Sequence, residues 1–69
     1  MVFGIGDIIE LDKNTLFYDK GLIAEVVKLE VVKYGWVKII KSSKSDIIGK
    51  EMYANLTLFK LLRRKGLHV

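Results

Sequence analysis

The 69-residue chain contains no cysteine, no proline and no glutamine, and its one histidine is His68. Without thiols, neither a disulfide nor a thiolate-held metal can brace the fold, so a hydrophobic core has to hold it alone. A single histidine next to the chain end leaves no Ser–His or Cys–His pair inside the domain to activate a nucleophile. The carboxylates follow no spacing that pairs them for acid–base work, and no His/Cys cluster or loop of alternating acidic ligands is present. Not an enzyme, with no catalytic residue, metal or cofactor, is therefore the expectation. Long apolar runs are missing as well. Lys or Glu interrupts every Val/Ile stretch well short of the roughly 18 residues a membrane-spanning helix requires. Gly4 and Gly6 precede a strand rather than linking a strand to a helix, which excludes a phosphate-cradling loop. Met1 to Asp7 shows no basic leader, and a cytoplasmic location is expected, in keeping with the missing cysteines.

What remains is apolar and basic. Hydrophobic residues make up 51% of the chain, chiefly Ile, Leu and Val. A chain of this length forms one domain, read as residues 1–69 with 63–69 as a flexible basic tail, and buries only about 60% of the surface its unfolded form exposes. The net charge of +4 is unevenly spread. Residues 1–30 hold three lysines against six carboxylates, whereas residues 31–69 hold seven lysines and two arginines against Asp46 and Glu51. A basic half of this kind steers polyanions if folding gathers its charges on one side, and otherwise serves as a solubilising surface. The lysine-rich, glutamine-free composition also follows the trend of thermophilic proteins.

Local patterning is that of an all-β protein. Ile9 and Leu11 alternate with Asp7 and Glu10 as a half-buried strand does. Residues 12–20 read as a loop or irregular hairpin arm closed by Gly21. From Leu22 to Lys33 both parities are apolar, which predicts a strand that is bent or bulged so that its inward face changes partway along. Tyr34-Gly35 is the predicted turn or bulge, followed by a strand over Trp36–Ile40. Lys41–Asp46 reads as a surface loop, and Ile47-Ile48 as the opening of a fourth strand that runs past Gly49 to Tyr53. For the C-terminal stretch two readings stand. Asn55 caps a helix with a Leu58, Leu61, Leu62 stripe, or a short helical turn at residues 54–56 leads into a fifth strand over 57–62.

These positions resemble KOW-type and Src-homology-type (SH3-like) small barrels. The resemblance rests on Gly6-Asp7, Ile9, Leu11, Gly21, Ala24, Val26 and the Trp36–Ile40 strand, and covers about half the chain. It implies a small five-stranded SH3-like barrel with a short C-terminal helix or helical turn. It also implies a binding role, either to nucleic acid in the KOW manner or to a peptide in the Src-homology manner. The peptide groove of Src-homology barrels is lined by aromatics, and Phe17, Tyr18, Trp36 and Tyr53 occupy comparable places here.

Two partner classes follow from the residues. For DNA or RNA, Tyr34 and Trp36 interleave with Lys33, Lys38, Lys41 and Lys44, and Arg63, Arg64 and Lys65 extend the basic set; aromatic rings stack on bases while cations track phosphates. That reading needs Val37 and Ile39 inside, so that Trp36 and Lys38 share the outer face. The alternative is a protein or peptide partner, or a second copy of the chain, gripped by Phe17, Tyr18, Trp36 and Tyr53. Each of these residues equally serves as core, rim or solvated charge in an ordinary small domain.

Overall fold

A computed structural model describes residues 3–65. Five antiparallel strands make up the fold: β1 (Ile8–Leu11), β2 (Ile23–Val31), β3 (Tyr34–Lys41), β4 (Glu51–Asn55) and β5 (Phe59–Arg63). They hydrogen-bond in the order β4-β3-β2-β1-β5, so the ladder is open between β4 and β5. Among the described residues helical structure is limited to two 3-10 turns, Ser45–Ile47 and Leu56–Leu58. No helix among the described residues is long and apolar enough to cross a membrane. The chain is all-β, as its patterning predicts.

The core follows the period-two alternation of the strands. Ile9 and Leu11 from β1, Ala24 and Val26 from β2, and Val37 and Ile39 from β3 are all buried, with Phe3, Leu22, Ala54, Leu56 and Phe59 completing the cluster. In β2 the parity changes as its sequence requires. Val26 pairs with Val37 and Lys28 with Trp36, leaving Val27 as the extra residue of a bulge. Beyond it Leu29, no longer an even position, lies opposite the buried Gly35. The bulge changes which parity faces Gly35, but β2 contributes only Ala24 and Val26 to the core, and beyond the bulge Leu29 and Val31 stay exposed.

Three predicted boundaries move. The β2–β3 turn falls on Val32-Lys33, and Tyr34 and Gly35 belong to β3. Gly35 is demanded by packing instead: a Cβ there would lie 2.6 Å from the Lys28 carbonyl oxygen and 3.4 Å from Leu56 Cδ1. No non-glycine residue among the described residues has positive φ, so Val32-Lys33 is not one of the mirror-image turns that best match strand twist. A register shift between Leu29 and Val31 absorbs the mismatch. Ile47 and Ile48 do not open a strand. Ile47 ends a 3-10 turn, Gly49 reverses the chain at φ +90°, and β4 starts at Glu51. At the C-terminal end strand and cap coexist: Asn55 Oδ1 accepts from the Thr57 N–H at 3.0 Å, but the helix stops after one turn and β5 begins at Phe59.

Asp7, grouped by sequence with Glu10 as a polar position, is instead buried, because it shares the inward parity of Ile9 and Leu11. It is 2% exposed. Its Oδ2 accepts from the Gly4 N–H at 2.8 Å and its Oδ1 from the Lys65 N–H at 3.0 Å, with Arg64 Nη1 3.5 Å from Oδ2. These contacts tie the turn before β1 to the segment after β5. The Gly4 hydrogen bond leads in holding the Asp7 carboxyl below its ordinary pKa; burial opposes it, and Lys65 and Arg64 reinforce it. Of the residues read as a basic tail, Arg63 is the last residue of β5, and Arg64 and Lys65 contact Asp7. Residues 66–69, His68 included, lie outside the described residues.

Candidate binding surface

With Val37 and Ile39 buried, alternation turns Trp36 and Lys38 outward on β3, as the sequence requires. Trp36 is half-buried because it has company. Tyr53, its cross-strand partner on β4, meets the indole edge-on at 5.4 Å between ring centroids, and Tyr34 stacks on Tyr53 at 5.7 Å with planes 5° apart. Such pairs add about 0.5–1.5 kcal/mol beyond their burial. The cluster stays open to solvent, with Tyr53 47% and Tyr34 37% exposed.

The charges around it do not add up to one basic face. Across the outer surface Arg63 of β5 is paired with Ile8, Ile8 with Glu25, Glu25 with Lys38, and Lys38 with Glu51. Lys38 therefore stands between two carboxylates. Glu30 and Glu51 also line the shallow cleft at Trp36, where Lys28 pairs with Glu30 at 3.4 Å. Among the other candidate cations, Lys33 sits in the β2–β3 turn, and Lys41 ends β3 opposite Ile23. Lys44 donates from its Nζ to the Phe17 carbonyl at 3.3 Å in a different loop. Arg63, Arg64 and Lys65 lie on or after β5, at the other edge of the sheet. Folding gathers the aromatics and disperses the cations.

Next to the aromatic cluster runs a groove of about 240 Å³, bordered by Thr15–Tyr18 on one side and Met52–Asn55 with Leu58 on the other. Its wall on the β1–β2 loop is built by short-range bonds. The Tyr18 N–H donates to Thr15 Oγ1 at 3.0 Å, the Thr15 N–H donates to the Tyr18 carbonyl at 2.8 Å, and the Lys20 N–H donates to Asn14 Oδ1 at 2.7 Å. Ser43 Oγ donates to Asp19 Oδ2 at 3.0 Å, anchoring the loop to the β3–β4 connection. The loop so fixed holds Leu16 88% and Phe17 67% exposed. Phe17 and Tyr18 meet edge-on at 6.5 Å.

Of the aromatics that the Src-homology resemblance singles out, Phe17, Tyr18 and Tyr53 line this groove, and Trp36 adjoins it through Tyr53. Tyr34, assigned by sequence only to the nucleic-acid set, belongs to the same cluster. Leu16, Met52 and Leu58 were not anticipated. Leu16 carries a usable signal, a large apolar residue next to Phe17 and Tyr18 in a loop, whereas Met52 and Leu58 look like ordinary strand and turn residues until the fold brings them together. No group of three or more His, Cys, Asp or Glu able to hold a metal ion occurs among the described residues.

The fold is compatible with a Src-homology-type arrangement. Comparison with known proteins goes no further: the chain matches no protein-family model, and no curated protein or solved structure matches it significantly.

Proposed function

We propose that the chain is a non-enzymatic protein-interaction module that holds an extended apolar peptide segment in the groove between the Thr15–Tyr18 loop and β4. One observation carries this reading: Leu16, Phe17 and Tyr53, three large apolar or aromatic side chains, remain exposed around a single groove whose loop wall is fixed by its own hydrogen bonds. Exposed apolar surface concentrated in this way marks interaction sites, and a rigid aromatic-lined groove suits an extended or polyproline chain, whose ordering cost is low. The β4-β3-β2-β1-β5 order with a 3-10 turn before the last strand supports the finer, SH3-like reading of the fold, in which such a groove has a natural place.

The test is selection from a displayed library of random peptides, followed by titration of the winners against Tyr18→Ala and Tyr53→Ala. Each variant is expected to lose at least about tenfold in affinity, or 1.4 kcal/mol. Failure to select any peptide, or unchanged affinity in both variants, rules the groove out.

Nucleic-acid binding is the second reading, and the outward placement of Trp36 and Lys38 on one face favours it. It requires affinity for an oligonucleotide that falls steeply with salt and quenches Trp36, the only tryptophan. The carboxylates on both sides of Lys38 weigh against it.

A further inference from the structure

Strand β4 is an edge of the sheet, and its main chain is only half used. The bonds from the Ile39 N–H to the Lys50 carbonyl at 2.9 Å and from the Leu56 N–H to the Lys33 carbonyl at 2.7 Å fix the phase of the β3–β4 ladder. In an antiparallel pair, hydrogen-bonded and non-hydrogen-bonded positions alternate. Met52 and Ala54, opposite Val37 and Gly35, therefore bond to β3, while the N–H and C=O groups of Glu51, Tyr53 and Asn55 point away from it. Among the described residues no main-chain hydrogen bond reaches those outward groups.

Edge strands are normally protected by proline, lysine or a bulge. Strand β4 has none of these: its sequence is Glu-Met-Tyr-Ala-Asn and its register against β3 runs without a shift. The opposite edge differs, since β5 carries Lys60 and Arg63 and its register against β1 is irregular.

We propose that β4 pairs with β4 of a second copy, antiparallel about a two-fold axis at Tyr53. The sequence of β4 complements itself in this register and not in the neighbouring ones. Centred on Tyr53, all three outward positions pair, giving about six main-chain hydrogen bonds. Glu51 then faces Asn55 of the other copy, the two Tyr53 rings adjoin at the axis, and Met52 faces Ala54 on the inner side. Centring on Glu51 would set two carboxylates opposite each other, which is destabilising, and centring on Asn55 would leave Glu51 unpaired. Asn55 is suited to the contact. Its Oδ1 already accepts from the Thr57 N–H and Oγ1, at 3.0 and 2.6 Å, which leaves its amide N–H groups to donate to the facing carboxylate.

Such a pairing goes beyond the groove reading and is tested on the chain alone. Sedimentation equilibrium from about 10 μM to 1 mM, the range in which weak association of this size registers, is expected to show a monomer–dimer equilibrium. Asn55→Asp keeps a good capping residue but opposes two carboxylates, and should weaken dimerisation at least about tenfold. Adding Glu51→Lys to it sets opposite charges face to face and should restore the dimer. A monomer throughout, or a dimer indifferent to Asn55→Asp, overturns the proposal; because Tyr53 and Asn55 also border the groove, peptide binding is read separately, by titrating the selected peptides at concentrations where the chain is monomeric.

Discussion

Asp7 shows at the level of one residue how a charge can be structural. Its carboxylate is buried but fully engaged by Gly4, Lys65 and Arg64, and no buried side-chain polar atom among the described residues lacks a partner. Because its folded pKa is lowered, its contribution to stability is complete above the ordinary aspartate range near about 4 and is lost as pH falls through the folded value. In denaturant titrations, the stability gap between the wild type and Asp7→Asn should be constant at neutral pH and shrink in acid below that range. A gap that does not change with pH would mean that the charge plays no part. The sequence shows Asp7 only as a polar residue beside the Ile9/Leu11 alternation, because two of its partners, Arg64 and Lys65, lie far along the chain, beyond the reach of any local pattern. Gly35 was misleading for a related reason. Glycine signals either positive φ or close approach, and only the proximity of Lys28 and Leu56 shows that the second applies.

Among the elements, the strands were legible wherever alternation was strict. Ile9/Leu11 and Val37/Ile39 are inward and buried, and the double apolar parity of β2 corresponds to its bulge at Val27. The ends of elements were less so. Ile47 and Ile48 have strong strand propensity, yet Gly49, with its positive φ, turns the chain there and tertiary context overrides the propensity. Asn55 presents a real capping signal that the chain uses for a single 3-10 turn, after which β5 begins at Phe59 and its side chain enters the core. Replacing Asn55 by Ala removes the acceptor for the Thr57 N–H and hydroxyl and should cost about 1 kcal/mol, read as a lower denaturation midpoint with an unchanged slope. A change below a few tenths of that would show that the turn is held by Leu56 packing alone.

For the molecule as a whole, the antiparallel all-β class and the outward turn of Trp36 could be read from the sequence, whereas the distribution of charge could not. The basic half of the chain suggests a basic face, but strand pairing sets Lys38 between Glu25 and Glu51 and sends Arg63, Arg64 and Lys65 to the opposite edge. The same pairing draws Tyr34, Trp36 and Tyr53 together beside the loop that exposes Leu16 and Phe17. Charge follows which residues neighbour each other across strands, and that information is not local in sequence. The proposed binding surface is therefore the one outlined by the aromatics and the groove. The most direct measurement is an amide chemical-shift titration of the isotope-labelled chain, once with a selected peptide and once with a mixed-sequence oligonucleotide. A groove-binding module should show saturable shifts centred on Thr15–Tyr18, Met52–Asn55 and Leu58 with the peptide. Peptide-induced shifts absent from those residues, or salt-sensitive oligonucleotide shifts centred on Lys33, Lys38 and Lys41 in their place, would contradict it.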